Sequence, residues 1–180
     1  LTGCVGPAPS TPSPSPSPTF MCTPEAGGSE APCSEQQFQE MKAKDALYAE
    51  AEQVYRTYQA EYAKVLRRGG STKLTPGLEA VIGSTELKKV VVGTLINFKS
   101  EGLRIVGPGA QIRTVTRRPS LVKKDSLATV QFCLDSQDTA TYRGSRKVYA
   151  GNVGTETAYF KNFSGGLRII YIEGKRVQSC

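Results

Sequence analysis

Residues 34–69, SEQQFQEMKAKDALYAEAEQVYRTYQAEYAKVLRRG, decide the fold because they predict one long helix. Ser34 and Gln37 fit a capping box, in which the Gln37 side chain reaches back to the Ser34 amide, and Gly69 is a helix stop. Apolar residues spaced by three and four then keep one face turned toward a single partner. This stripe consists of Tyr48, Ala51, Tyr55, Tyr58, Tyr62 and Val65. A coiled-coil partner is the alternative, but the stripe is short, so we expect it to pack on the chain's own sheet.

The chain after this helix predicts two more helices and then strands. Thr75 and Pro76 begin a short helix, and Ser84 is the N-cap of another. Strand-like segments follow at residues 103–106, 111–117, 127–135, 146–152, 155–163 and 167–173. Residues 164–166, Ser-Gly-Gly, join the last two as a hairpin turn. Helices first and antiparallel strands afterwards predict an α+β fold.

The first 33 residues have the composition of an anchor followed by a spacer. Leu1-Thr2-Gly3-Cys4 resembles the lipobox of bacterial lipoproteins, in which a diacylglyceryl group is attached to the cysteine thiol. Six of the eleven prolines fall within residues 7–18, and alternating Ser-Pro cannot bury apolar surface. We therefore expect residues 1–4 to be a lipobox with Cys4 lipidated. Residues 5–33 are then a disordered linker, and residues 34–180 form the folded domain.

The order of elements resembles the NTF2-like fold, a cone-shaped α+β domain in which a long N-terminal helix lies in the hollow of a curved antiparallel sheet. Three features are similar to small secreted lipoproteins of actinobacteria: the helix-loop-helix within residues 74–105, the strand ATVQFCLD at 128–135, and a final hairpin ending in cysteine. The resemblance implies a lipid-anchored domain on the outer face of the cytoplasmic membrane. It also implies that Tyr48, Tyr55, Tyr58 and Tyr62 line the cone.

Four cysteines remain when Cys4 is assigned to lipid. They are Cys22, Cys33, Cys133 and Cys180. An even number in an exported domain predicts two disulfides, with three possible connectivities. A Cys22–Cys33 bond would close a local loop, and a Cys133–Cys180 bond would tie a mid-chain strand to the C-terminus. Buried free thiols are the alternative, and the wide spacing argues against a zinc site.

Composition excludes several classes of active site. The chain contains no histidine, which removes Ser-His-Asp and Cys-His catalysis and His-ligated metals. Its formal charge of +7 is uneven, with 21 basic residues and nine acids in residues 53–180. Such a basic body suits anionic lipid, an acidic wall polymer or a solvated surface. Nucleic acid is not expected, because no recognised nucleic-acid-binding motif is present, and we expect no cofactor or metal.

Two functions remain open at this point. In the first, the domain is a non-enzymatic binding or accessory module that recognises a protein, a wall polymer or a small ligand. In the second, it is a small lyase or isomerase, with Asp135 or Glu156 as a carboxylate base beside the helix tyrosines. A cone filled by side chains favours the first function. An open cavity with an inward carboxylate favours the second.

Overall fold

The long helix α1 spans Glu35–Arg67 in the computed structural model, which describes residues 19–180. The Ser34 side chain accepts a hydrogen bond from the Gln37 amide, and the Gln37 side chain accepts one from the Ser34 amide. The predicted capping box is therefore confirmed. The helix ends before Gly69, whose φ of +89° favours glycine. Cys4 and the linker up to residue 18 lie outside the described residues.

Two shorter helices follow, α2 at Pro76–Val81 and α3 at Thr85–Ser100. Both begin where the sequence predicts, because the Thr75 and Ser84 side chains accept hydrogen bonds from amides in the first turn of each helix. Within residues 19–180, none of the helices has the length and apolarity needed to span a bilayer.

Within residues 19–180, nine strands form three antiparallel sheets. The strands are β1 (Phe20–Cys22), β2 (Ala31–Cys33), β3 (Leu103–Val106), β4 (Gln111–Arg117), β5 (Ala128–Asp135), β6 (Ala140–Arg143), β7 (Arg146–Ala150), β8 (Val153–Phe163) and β9 (Gly166–Arg176). The main sheet has the order β4-β5-β8-β9, and a small sheet has the order β3-β6-β7. Strands β1 and β2 form a separate hairpin. With α1 packed against these sheets, the predicted α+β class is confirmed.

The core lies between α1 and the inner face of the main sheet. Ala128, Val130, Phe132 and Leu134 alternate along β5 and are all buried, as their spacing predicts. The helix stripe faces them: Tyr48, Ala51, Tyr55, Tyr58 and Val65 are buried, and Tyr62 is partly buried. The stripe therefore packs on the chain's own sheet, and burial of these large side chains is the main source of stability.

The structure differs from the sequence-based expectation in two places. Residues 20–33 were expected to be disordered linker, but β1 and β2 pair there, and the ring of Phe20 packs 5.2 Å from that of Phe38 on α1. Strand β6 was missed, since ATYR is too short and too polar to give an alternating pattern. Both elements depend on contacts with distant parts of the chain.

Candidate functional site

A cleft of about 680 Å³ is lined by residues of α1, of the main sheet and of the small sheet. Gln59 and Tyr62 of α1 line the cleft, together with Tyr149 of the small sheet. Glu156 of β8 and Arg176 of β9 bring charged groups into the lining. Other cavities in the part of the chain that the structure describes have volumes of about 300 to 400 Å³.

Strand register explains why space is left there. Glu156 lies opposite Phe132 on one side and opposite Gly174 on the other, and Gly154 lies opposite Arg176. The inner face of the sheet therefore lacks two side chains beside the carboxylate. A Cβ added at Gly174 would lie 3.3 Å from Cγ of Glu156. The two glycines thus leave space next to Glu156, in a cavity of about 360 Å³ that adjoins the cleft.

The Glu156 carboxylate is held by two side chains of α1. The hydroxyl of Tyr55 donates a hydrogen bond to Oε2, and Nε2 of Gln59 lies 3.2 Å from the same oxygen and 2.7 Å from the Tyr55 hydroxyl. Both contacts use Oε2, so Oε1 accepts no hydrogen bond from residues 19–180, and Glu156 is one of the residues that line the cleft. One carboxylate oxygen therefore remains available as a hydrogen-bond acceptor.

Burial changes the acidity of the groups around this carboxylate. It raises the pKa of Glu156 above the ordinary 4.5, and the hydrogen bond from Tyr55 offsets part of that effect. Burial also raises the pKa of Tyr55, with a further contribution from the Glu156 charge. Burial is also the main cause of the raised pKa values of Tyr58 and Tyr62. The tyrosines therefore stay protonated as hydrogen-bond donors at neutral pH.

Asp135, the other carboxylate considered, lies away from this cluster. It ends β5, where its carboxylate accepts from the Gln137 amide at 3.0 Å and from Arg113 at 2.8 Å. Those two hydrogen bonds lower the pKa of Asp135 below its ordinary value. The predicted turn after this strand is confirmed, and the structure leaves only Glu156 of the pair in the cleft.

Tyr48 lies at the N-terminal end of the helix stripe, in an environment different from that of Tyr55 and Tyr62. Its hydroxyl donates to Glu25 at 2.8 Å, and the guanidinium of Arg117 lies 4.8 Å from its ring centre. The pKa of Tyr48 is raised to about 12, mainly because its hydroxyl is buried and next because it donates a hydrogen bond to Glu25. The adjacent cavity of about 340 Å³ lies under the β1-β2 hairpin. The four tyrosines therefore do not line one common cavity.

Two disulfides form, in one of the three possible connectivities. Cys22 bonds to Cys33 across the β1-β2 hairpin, and Cys133 of β5 bonds to Cys180. Such bonds persist in oxidising compartments and are rare in the cytosol, so they indicate an extracytoplasmic domain. Within residues 19–180, the acidic and cysteine side chains form no cluster suited to hold a metal ion.

The sequence analysis missed Gln59, Tyr149 and Arg176, which line the cleft, and Gly174, which lines an adjoining cavity that shares Glu156. Gln59 follows Tyr55 by one helical turn, so its position beside that tyrosine has a local signal. Gly174 has no such signal, because its place opposite Glu156 is set by the register of β8 and β9, which shifts at a bulge between Tyr159 and Phe160.

The fold and cleft define the class of protein: a disulfide-bonded α+β domain with a long helix covering an antiparallel sheet. No protein-family model matches the chain, and no curated protein matches it. The crystal structure of the intermembrane space region of the chloroplast protein ARC6 is distantly similar, with a TM-score of 0.44 and 14% sequence identity. That likeness covers 72% of this chain and 95% of the other.

Proposed function

We propose that this protein is an extracytoplasmic lipoprotein whose domain binds a small ligand in the cleft beside Glu156. The single observation that carries the proposed binding site is the free Oε1 of Glu156 in a cleft of about 680 Å³. A ligand that donates a hydrogen bond to Oε1 would replace the water that a partly buried carboxylate needs. We further propose that the fold is a variation of the NTF2-like cone; the stacking of Tyr55 on Phe132, which fills its centre, and the space beside Glu156 support this.

The anchor is proposed at Cys4, on the LTGC sequence and the Pro-Ser tract behind it. Two acyl chains would hold the protein on the outer face of the cytoplasmic membrane. Expression of the precursor with its signal peptide, followed by cell fractionation, tests this. Cys4→Ser should release the protein or leave the precursor uncleaved, whereas Cys22→Ser should remain membrane-bound. Unchanged membrane retention and processing of the Cys4→Ser protein would contradict the anchor.

The cleft is tested with benzylamine, a small apolar molecule that carries a cationic donor. Benzylamine should shift the NMR amide signals of residues 154–156 and 174–176, and Gly174→Leu should abolish the shifts by filling the space beside Glu156. Lys175→Leu is the matched control, because its side chain lies on the opposite face of β9. Equal shifts in both variants, or no shifts in the parent protein, would contradict the binding site.

A second candidate is a lyase or isomerase, and the raised pKa of Glu156 is the observation that favours it. A carboxylate of raised pKa is a better base. Glu156 would take a proton from the carbon next to a carbonyl group, with the Tyr62 hydroxyl donating to the developing oxyanion. The probe is 3-cyclohexenone, whose conversion to the conjugated ketone moves a proton from C2 to C4. Turnover lost in Glu156→Gln and kept in Asp135→Asn would favour the enzyme over the binding module.

A further inference from the structure

Two oppositely charged side chains of the main sheet line the cleft together, Glu156 of β8 and Arg176 of β9. Glu156 lies opposite Gly174. Arg176 comes two residues after that glycine and lies opposite Gly154. Because side chains alternate between the faces of a strand, Glu156 and Arg176 are diagonal neighbours on one face of the sheet. A glycine lies opposite each of them on this strand pair, so no other side chain of β8 or β9 separates the two.

These two charges do not neutralise each other. Glu156 and Arg176 form no ion pair with one another or with any other residue of 19–180. The hydrogen bond from Tyr55 and the contact with Gln59 hold the Glu156 carboxylate at α1 through Oε2. The Arg176 side chain is exposed. An acid and a base that share a cleft and stay unpaired are available to a ligand that carries both charges.

Apolar side chains form another part of the cleft lining. Phe98 of α3, Ile105 of β3 and Leu134 of β5 line the same cleft as the two charged groups. Ile105 and Leu134 are buried, and Phe98 is partly buried. In sites for small molecules, apolar side chains contact the body of the ligand while a few polar groups fix its orientation. The cleft therefore suits a ligand with an apolar part and two opposite charges.

We propose that the ligand of the cleft is a zwitterionic amino acid with a large apolar side chain, an inference that rests on the proposed binding site beside Glu156. The ammonium group of the ligand donates to Oε1 of Glu156, and its carboxylate accepts two parallel hydrogen bonds from the Arg176 guanidinium. A simple amine satisfies only Glu156 and is repelled by Arg176. A simple carboxylate satisfies only Arg176 and is repelled by Glu156, so the zwitterion fits the cleft better than either.

The test compares L-phenylalanine with phenethylamine, which lacks only the carboxylate. Each is titrated into the full chain at low salt, and the NMR amide signals of residues 154–156 report binding. L-phenylalanine should bind at least about fivefold more tightly, because its bond to Arg176 is charge-assisted. Arg176→Gln should remove this preference. Arg104→Gln is the matched control and should keep it, because Arg104 alternates with the buried Leu103 and Ile105 and faces away from the cleft. Circular dichroism confirms that both variants fold.

Three outcomes would overturn the proposal. Equal affinity for the two probes in the parent protein would show a cleft that binds amines without reading the carboxylate, and the proposed binding site would stand. A preference for L-phenylalanine that Arg176→Gln and Arg104→Gln weaken equally would be an effect of net charge. Binding of neither probe would remove the cleft site, and the amino-acid proposal with it. Phenethylamine binding therefore distinguishes failure of this inference from failure of the proposed function.

Discussion

The ring of Tyr55 stacks on the ring of Phe132, with centroids 3.7 Å apart and planes 8° from parallel. This contact joins α1 to the centre of the main sheet. Glu156 lies beside Phe132 on the next strand, and the Tyr55 hydroxyl donates to its carboxylate. One tyrosine therefore fills the core with its ring and positions the group at the base of the cleft with its hydroxyl.

Two substitutions at Tyr55 separate these roles. Tyr55→Ala should lower the free energy of unfolding by about 3–5 kcal/mol, because a large buried ring is lost and a cavity is left. Tyr55→Phe keeps the ring and should cost about 1–2 kcal/mol through the lost hydrogen bond. Denaturant unfolding measures both. Tyr149→Ala, a change to a side chain that is 66% exposed, is the control and should stay within about 0.5 kcal/mol. A similar loss in Tyr55→Ala and Tyr149→Ala would exclude a core role for Tyr55.

The pH dependence of stability should carry the signature of Glu156. Its pKa is raised above 4.5 in the folded protein, so the folded state binds the proton more tightly than the unfolded chain does. The resulting stabilisation of the folded state is complete below the pKa of the unfolded chain. It is lost as the pH rises through the pKa of the folded protein. Glu156→Gln removes this loss and keeps a carbonyl acceptor for Tyr55. Its free energy of unfolding relative to the parent protein should therefore rise from pH 4 to pH 7. A difference that stays constant over this range would mean that the pKa of Glu156 is not raised.

Asp135 should show the opposite sign. Its pKa is lowered below 3.8 by the Gln137 amide and Arg113, so it stabilises the folded state above the unfolded pKa and loses that contribution as pH falls. Asp135→Asn should be less stable than the parent protein at pH 7 and equal to it at low pH. Thermal unfolding at several pH values tests the two carboxylates side by side. A deficit of Asp135→Asn that persists in acid would point to a lost contact other than the charge.

Local chemistry explains which parts of the fold could be predicted. Ser34, Thr75 and Ser84 each begin a helix as N-caps, because a side-chain oxygen satisfies an amide within the same turn. The inner face of β5 follows from its apolar residues at alternate positions, while the burial of Thr129 and Cys133 on the other face does not. The β1-β2 hairpin could not be predicted in this way. Its Pro-rich and Gly-rich sequence is typical of a linker, and it is ordered by Phe38, by Lys44 and by the Cys22–Cys33 bond.

The cleft could be predicted only in part, because it also depends on contacts between distant segments of the chain. Tyr55 and Tyr62 were found from helical spacing, and Glu156 was named as one of two possible carboxylates. The choice between Glu156 and Asp135 needs the register of β5, β8 and β9, since a shift of one residue would turn Glu156 to the opposite face. Cross-strand register between distant segments is not encoded in local spacing, so the open space at Gly174 had no sequence signal.

Two glycines should respond to alanine in opposite ways. Gly93 lies within α3, and a Cβ added there meets no atom within 4 Å. Gly93→Ala should therefore raise the free energy of unfolding by about 0.5–1 kcal/mol, since alanine loses less backbone entropy in a helix. Gly70 has φ +83°, and its added Cβ would lie 2.2 Å from the Leu95 carbonyl oxygen, so Gly70→Ala should destabilise. Denaturant unfolding measures the stability of both variants. A loss of stability in Gly93→Ala would contradict this account.

The two disulfides should differ in their contribution to stability because they close loops of different length. Cys133 and Cys180 are 47 residues apart, whereas Cys22 and Cys33 are 11 apart. In the chain-entropy model these loops correspond to about 4 and about 3 kcal/mol, and measured losses are often smaller.

Cys133→Ala/Cys180→Ala should lower the free energy of unfolding more than Cys22→Ala/Cys33→Ala, as measured in guanidinium chloride without reductant. The positions of the two bonds support this ranking of their contributions. Cys133 lies on the central strand β5 of the main sheet, whereas the Cys22–Cys33 bond holds a peripheral hairpin. Peptide mapping without reduction confirms the pairing in the parent protein. A larger loss from the hairpin pair would mean that residues 20–33 support the core more than the tie between β5 and the C-terminus does.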